Sequence, residues 1–316
     1  MSLPCIITAM VTPFTPDGAL DEERAEDLAR HLVLTGSEGL VVAGTTGESP
    51  TLSLEERERL YYAVRKGAGS IPVYVGTGSN DTRHTVELSR KAEDWGADGL
   101  LVVTPYYNKP PQEGLLRHFV QVAQAVSLPI ILYNVPGRTG SSVEPGTVAQ
   151  IARRCPNVVA VKEASGHLGV MSGLHQECPD MLVFAGDDAL FYPALAIGAH
   201  GVVSVAAHVV GPEMVQLLKA YKSGRIAEAR EWHFRLEPIF RDLFCWSNPI
   251  PVKWVLNRLN ITVGPVRDPL VYPSNTQALE VLQHEIESVW ENREQSQAWP
   301  PGDLFWGARR ELGGSA

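Results

Sequence analysis

A lysine directly follows a short apolar run in the stretch VVAVKE, residues 158–163. The four apolar residues before Lys162 have the character of a strand that is buried on both faces. An ammonium ion is rarely buried without a partner, because desolvation penalises its charged form. A desolvated lysine amine is a nucleophile toward a ketone. Lys162 is therefore a candidate Schiff-base residue, and an ion pair with Glu163 or Asp187 is the alternative interpretation.

The motif GTTGES, residues 44–49, also follows an apolar run. Its glycines carry no side chain, so the backbone can come close to a ligand. Thr45 and Thr46 add two hydroxyls, and their N–H groups can form a concavity that binds an anion. The motif predicts a site for a small carboxylate, although a glycine-rich turn is often only a turn.

Two further motifs place a tyrosine and an arginine after apolar runs, in TPYYNKP (104–110) and YNVPGRTG (133–140). Tyr133 ends its run and is a candidate proton shuttle beside an imine. The alternative is a core tyrosine whose hydroxyl is satisfied by a partner. Arg138 follows a Pro-Gly turn, and its planar guanidinium could hold a second carboxylate through two hydrogen bonds. The alternative for Arg138 is an ion pair with a nearby acidic residue.

Eight short apolar runs must position these side chains. The runs are CIITAMV (5–11), GLVVAG (39–44), PVYVGT (72–77), GLLVVT (99–104), PIILYNV (129–135), VVAVKE (158–163), LVFAGD (182–187) and GVVSVA (201–206). None alternates apolar with polar residues, which is typical of parallel strands covered on both sides. With helical stretches between them, they predict a (β/α)8 TIM barrel, whose chemistry lies at the carboxyl ends of the strands. A doubly wound sheet is the alternative, but no GxGxxG follows the first run.

Amphipathic patterns predict helices both between the strands and after them. These patterns cover residues 21–36, 53–69, 82–97, 225–244, 249–259 and 277–293. The β signal ends near residue 222. We therefore expect a catalytic barrel over 1–222, a C-terminal helical region over 223–295 and an irregular tail over 296–316.

Charge and cysteine spacing exclude several classes of protein. The chain has 316 residues, with 27 Lys and Arg against 36 Asp and Glu, so its formal net charge is −9. This balance argues against nucleic acid or a membrane surface as a partner. The sequence shows no leader and no apolar run long enough to span a bilayer. Four widely spaced cysteines indicate free thiols in the cytoplasm, and nine scattered histidines predict no metal site.

The order and spacing of four motifs resemble the dihydrodipicolinate synthase branch of the pyruvate-dependent class I aldolases, the family of N-acetylneuraminate lyase. The motifs are GTTGESPTLS, TPYYNKPPQEG, YNVPGRTG and VKEASG, and the resemblance runs from residue 3 to about residue 258, through NPIPVKW (248–254). It implies an enzyme that joins pyruvate to aspartate semialdehyde in lysine and diaminopimelate biosynthesis. Sister aldolases acting on keto-deoxy sugar acids, N-acetylneuraminate or 4-hydroxy-2-oxoglutarate are the alternative.

The resemblance implies roles for the residues at the strand ends. Lys162 would form the Schiff base with pyruvate. Thr46, aided by the backbone of Thr45, would hold the pyruvate carboxylate. Thr45, Tyr107 and Tyr133 would form a hydroxyl relay that moves protons. In this family the tyrosine at the position of Tyr107 reaches into the adjacent subunit, so activity would depend on a dimer.

The same resemblance implies the surroundings of the two substrates. Arg138 would lie at the entrance and bind the carboxylate of aspartate semialdehyde. Gly186 and Val203 would line the pyruvate site. The family is usually a homotetramer built as a dimer of dimers, and it uses no metal and no organic cofactor, because the pyruvate imine is the covalent intermediate.

The sequence departs from the family where many members bind lysine as a feedback inhibitor. Such members generally carry an acidic residue where this chain has His84, and often histidines in place of Leu54 and Arg57. The positions that do match are Ser49, Asn80 and Tyr106. Without the acidic residue, the site lacks a partner for the α-ammonium group of lysine, so we expect weak or absent inhibition. Residues 261–273 also differ from the usual continuation of the family.

Overall fold

Eight parallel strands form one closed barrel and follow one another around it in chain order. The computed structural model describes residues 3–295. The strands are β1 Ile6–Ala9, β2 Gly39–Val42, β3 Val73–Gly76, β4 Gly99–Val103, β5 Ile130–Asn134, β6 Val158–Glu163, β7 Leu182–Ala185 and β8 Gly201–Ser204. Because β8 pairs with β1, the sheet has no edge. The predicted barrel is confirmed, and the open doubly wound alternative is wrong.

Helices surround the barrel and continue after its last strand. They are α1 Glu22–Leu34, α2 Leu54–Ala68, α3 Thr82–Asp94, α4 Gln112–Gln124, α5 Pro136–Thr139, α6 Pro145–Arg154, α7 Leu168–Glu177, α8 Phe191–Ala196, α9 Ala207–Lys222, α10 Ile226–Asp242, α11 Ile250–Arg258 and α12 Gln277–Gln295. Every helix predicted from the sequence is present. Between residues 3 and 295, none of the helices has the length and apolar character needed to cross a membrane.

The strands are largely apolar because neither face of the sheet meets water. Alternate residues point into the barrel, where they form one apolar cluster. This cluster includes Ile7, Val41, Tyr74, Leu101, Ile131, Ala160, Phe184 and Val203. The residues between them face the surrounding helices, which cover the outside of the sheet. Each strand therefore buries both of its faces, as the continuous apolar runs in the sequence indicate.

Local sequence sets where the helices begin. Asp21 precedes α1, and its side chain accepts a hydrogen bond of 3.0 Å from the N–H of Arg24. Ser53 precedes α2 and forms a capping box with Glu56, in which each side chain accepts from the backbone N–H of the other residue. These bonds satisfy N–H groups that have no partner within the helix.

The last helices are fastened to the outer helices of the barrel. Helix α10 packs on α8 and α9, and α12 packs on α9, α10 and α11. The indole Nε1 of Trp290 in α12 donates to the carbonyl oxygen of Val209 in α9 at 2.8 Å. Arg293 forms an ion pair with Glu213 of α9. The division of the chain at residues 222 and 295 stays a prediction, and the predicted tail over 296–316 lies outside the described residues.

We expect Gly201→Ala to destabilise the protein strongly, because β8 and β1 approach too closely there for a side chain. A Cβ at Gly201 would lie 1.9 Å from the carbonyl oxygen of Cys5, which is backbone and cannot turn away. Overpacking of a core costs ~1–3 kcal/mol or more. The matched control is Gly146→Ala in α6, where a Cβ meets nothing within 4 Å. Urea unfolding should show a large decrease in the free energy of unfolding for Gly201→Ala and no decrease for Gly146→Ala. Equal stabilities of the two variants would contradict this account of barrel closure.

Candidate active site

Lys162 lies at the carboxyl end of β6 with its side chain inside the barrel. It is 5 % exposed. Successive side chains of a strand point to opposite faces, so Lys162 faces the same way as Ala160, which belongs to the interior cluster. Its Nζ lies 4.1 Å from the centre of the Tyr133 ring. The strand register places Tyr133 of β5 on one side of Lys162 and Phe184 of β7 on the other. The amine thus lies in largely apolar surroundings at the rim of the barrel.

The two carboxylates considered as partners of Lys162 are engaged elsewhere. Glu163 points to the opposite face of β6, where it accepts from Nδ2 of Asn134 at 2.7 Å and from the N–H of Ser165 at 2.6 Å. Asp187 accepts from a backbone N–H two residues further on, at 3.1 Å. Among the side chains that the structure describes, no carboxylate oxygen lies within 4.0 Å of Nζ of Lys162. The ion-pair interpretation of Lys162 is therefore wrong.

Tyr133 is buried and in direct contact with the amine of Lys162. Its hydroxyl has no hydrogen-bond partner in the part of the chain that the structure describes. A tyrosine that served only to fill the core would normally have its hydroxyl satisfied there. The position at the rim leaves the hydroxyl able to donate to, or accept from, a molecule that reaches Lys162.

Gly186 and Val203 border the same space. A Cβ at Gly186 would lie 3.1 Å from Cε of Lys162 and 2.6 Å from the Cβ of Ala164, so a larger residue would crowd the lysine. Val203 is buried in β8 and belongs to the same interior cluster as Tyr133. The structure therefore places Gly186 beside Lys162, and Val203 in the interior cluster that contains Tyr133. Their roles in binding pyruvate stay predictions.

The GTTGES loop follows β2, which lies opposite β6 in the closed barrel. Thr46 is buried and Thr45 is half-buried. The Oγ1 of Thr46 accepts a hydrogen bond of 2.8 Å from Nδ2 of Asn248. At the next residue, the carbonyl oxygen of Gly47 accepts from Oγ1 of Thr12 at 2.7 Å. The loop is thus held by residues that lie far before it and far after it in the chain.

A buried ion pair holds the end of this loop, and sequence reasoning missed it. Lys253 of α11 is fully buried, and its Nζ donates to Oε1 of Glu48 at 2.8 Å. It also donates to the carbonyl oxygens of Thr12 and Pro265, at 2.9 and 2.5 Å. Desolvation lowers the pKa of Lys253 to about 8, although the carboxylate of Glu48 opposes that shift. The signal was available, because Lys253 stands in an apolar helical pattern just as Lys162 stands in an apolar strand.

Two predicted site residues lie at the surface of the chain. Tyr107 is 88 % exposed, and its backbone adopts a left-handed conformation with φ of 75°. Arg138 is exposed in the short helix α5. It makes no ion pair with any carboxylate whose side chain the structure describes, so the ion-pair alternative for Arg138 is wrong. Within this one chain, neither side chain is brought against Lys162.

The histidines do not cluster. His208 is buried, with Nδ1 2.8 Å from the carbonyl oxygen of Val205 and Nε2 accepting from the N–H of Val11 at 3.2 Å. Burial lowers the pKa of His208 to about 4, which keeps the ring neutral at pH 7. His118 pairs through Nδ1 with the hydroxyl of Thr82 at 2.9 Å. The described residues include no group of three or more His, Cys, Asp or Glu side chains that could hold a metal ion.

Comparison with known proteins matches this chain to a single family by sequence and by structure. The model of the dihydrodipicolinate synthetase family matches residues 2–288. A protein of Symbiobacterium thermophilum named 4-hydroxy-tetrahydrodipicolinate synthase is 54 % identical over 268 residues, which are 84 % of this chain and 91 % of the relative. One of Heliobacterium modesticaldum with the same name is 52 % identical over 285 residues, 90 % of this chain and 94 % of the relative. The crystal structure of DHDPS from Cyanidioschyzon merolae with lysine bound is 42 % identical, with a TM-score of 0.87 over 90 % of this chain and 98 % of that one.

Proposed function

This chain belongs to the dihydrodipicolinate synthetase family, and we propose that it condenses pyruvate with L-aspartate 4-semialdehyde as a 4-hydroxy-tetrahydrodipicolinate synthase. The observation that carries the proposal is the position of Lys162. Its amine lies inside the barrel rim, 4.1 Å from the Tyr133 ring, and no carboxylate of the described residues neutralises it. Such an amine can attack a ketone. The reaction belongs to lysine and diaminopimelate biosynthesis.

The proposed reaction needs only the amine and proton transfers. Lys162 attacks the keto carbon of pyruvate, and loss of water gives an imine that draws electrons from the adjacent methyl group. Loss of a methyl proton gives an enamine, which attacks the aldehyde carbon of the semialdehyde. The amine of the semialdehyde then displaces Lys162 by transimination and closes the ring. The lysine is regenerated, so the cycle requires no metal and no organic cofactor.

The neighbouring residues supply binding and proton transfer in this scheme. Tyr133, in contact with Lys162, moves protons during imine formation and enamine attack, together with Thr45 and Tyr107. Thr46 holds the carboxylate of pyruvate from the opposite side of the barrel. Gly186 and Val203 line the pyruvate site, and Arg138, exposed and free of acidic partners in the described chain, binds the carboxylate of the semialdehyde.

Assembly and cellular location are part of the proposal. Tyr107 is almost fully exposed in the single chain, which suits a residue that completes the site of an adjacent subunit. We propose a homotetramer made of two such dimers. All four cysteines are free thiols, and disulfides are rare in the reducing cytoplasm, so a cytoplasmic enzyme fits this chain.

The first test combines an assay with covalent trapping. We expect the purified protein, given pyruvate and aspartate semialdehyde, to supply substrate to the next reductase of the lysine pathway, so that nicotinamide oxidation depends on pyruvate. Borohydride added with pyruvate should modify Lys162, and the Lys162→Ala variant serves as the control. A Lys162 adduct without the coupled signal would reassign the protein to a sister aldolase with another aldehyde substrate. A peptide map with no adduct at Lys162 would refute the covalent mechanism.

We expect Tyr133→Phe to lower turnover ~10²–10⁴-fold, because general acid–base catalysis is typically worth that factor. The variant should fold normally, since the removed hydroxyl has no hydrogen bond to the described residues. Tyr74→Phe is the matched control, because Tyr74 lies in the same interior cluster but on β3, away from Lys162. Near-normal turnover of Tyr133→Phe, or an equal loss in the control, would contradict the proton-transfer role.

We expect lysine to inhibit this enzyme weakly or not at all. Arg57 donates to the carbonyl oxygen of Ser49 at 2.6 Å and to that of Gly76 at 3.1 Å, so a cation already lies beside the corresponding site. His84 is exposed and supplies no negative charge. Turnover should therefore stay constant when lysine is added, and His84→Glu should increase the sensitivity. Inhibition of the unmodified enzyme by sub-millimolar lysine would show that this reasoning is incorrect.

A further inference from the structure

Asn248 is a buried polar residue to which the proposed function assigns no role. It is 7 % exposed and lies two residues before the start of α11. Its Nδ2 lies 2.8 Å from Oγ1 of Thr46. Its Oδ1 is buried and has no hydrogen-bond partner within residues 3–295. Within the described residues, the side-chain amide of Asn248 therefore forms its hydrogen bond with the hydroxyl of Thr46.

The chemistry of this contact fixes the direction of the hydroxyl hydrogen. The NH2 group of an asparagine can only donate, so Oγ1 of Thr46 accepts from Asn248. A hydroxyl has a single hydrogen, which must then point away from Asn248. It is available to another acceptor, and a carboxylate is the strongest acceptor that a small keto acid offers.

We propose that Asn248 is a positioning residue that orients the Thr46 hydroxyl as a donor to the carboxylate of pyruvate. This inference rests on the proposed function, because it explains how Thr46 would bind the carboxylate of pyruvate in that reaction. A donor that is already aimed at the ligand loses little orientational freedom on binding. Asn248 therefore acts on pyruvate affinity through Thr46, without touching the reacting atoms.

A second contact between the same two segments holds Asn248 and Thr46 in fixed relative positions. Five residues after Asn248, the Nζ of Lys253 donates to the carboxylate of Glu48, two residues after Thr46. Both contacts join the beginning of α11 to the loop after β2. The other two donor bonds of Lys253 go to backbone carbonyl oxygens, so its position is also fixed by the main chain. The backbone that carries Asn248 is thus held in place, so its side chain can orient the Thr46 hydroxyl.

The test measures the pyruvate concentration that half-saturates borohydride trapping of Lys162. Asn248→Asp replaces the donor by a carboxylate, which takes the Thr46 hydrogen and repels pyruvate. We expect the half-saturating concentration to rise about 10- to 100-fold, as expected for loss of a hydrogen bond to a charged group. Asn248→Ala only frees the Thr46 hydroxyl to rotate, so it should raise the half-saturating pyruvate concentration about 2- to 10-fold. The KM for aspartate semialdehyde should be unchanged in both variants.

Two further variants separate positioning from general stability. Asn257→Ala is the matched control on α11, because Asn257 binds the backbone of residues 263 and 264 rather than the loop. It should leave the half-saturating concentration unchanged. In a Thr46→Val background, Asn248→Ala should have no additional effect, since the two residues act as one unit.

The outcomes distinguish this proposal from the one on which it rests. If Asn248→Ala raises the half-saturating concentration as much with Val at position 46 as with Thr46, the positioning role is overturned. An equal rise in Asn257→Ala would also overturn it, because the effect would then be one of folding. A wild-type protein that forms no Lys162 adduct refutes the Schiff-base function itself, and does so before any variant of Asn248 is compared.

Discussion

Closure of the sheet is the constraint on which the rest of this structure depends. A parallel strand exposes unpaired N–H and C=O groups at its edge, and pairing of β8 with β1 removes both edges at once. Because all eight strands run in the same direction, closure also brings their carboxyl ends to one rim. Tyr133 and Lys162, at the carboxyl ends of two strands, and Thr46, in the loop after a third, therefore lie at the same rim. The close approach of Gly201 to the backbone of Cys5, just before β1, shows how little room this closure leaves.

Two buried lysines show how the same side chain can be structural or chemical. The ammonium of Lys253 has a carboxylate and two carbonyl oxygens as acceptors, which offset the cost of its burial. Lys162 is almost equally buried but lies beside an aromatic ring, with no carboxylate of the described chain nearby. Through its bonds Lys253 connects α11 to the loop after β2. The absence of a charge partner in the described residues leaves the second amine available for reaction.

The C-terminal helical region takes part in the site as well as in packing. Helix α11 and the residues just before it lie outside the eight β–α units. Nevertheless, Lys253 of α11 and Asn248 before it both contact the loop after β2. The loop after β2 is therefore supported from a part of the chain about two hundred residues away. The motif NPIPVKW, with which the resemblance to the family ends, therefore contacts the loop after β2 in space.

Local sequence was enough to predict the strands and the helices, and it also marked the candidate reactive residues at the strand ends. Strand and helix patterns are local, because burial on both faces produces continuous apolar runs and burial on one face produces helical periodicity. A reactive lysine after such a run is likewise visible locally. The folded structure was needed to show that Glu163 and Asp187 bond elsewhere than to Lys162 and that Tyr107 is exposed. It was also needed to show that Asn248 and Lys253 hold the GTTGES loop. These outcomes depend on side-chain direction at a strand end and on contacts between distant segments, which arise when the barrel closes and its helices pack.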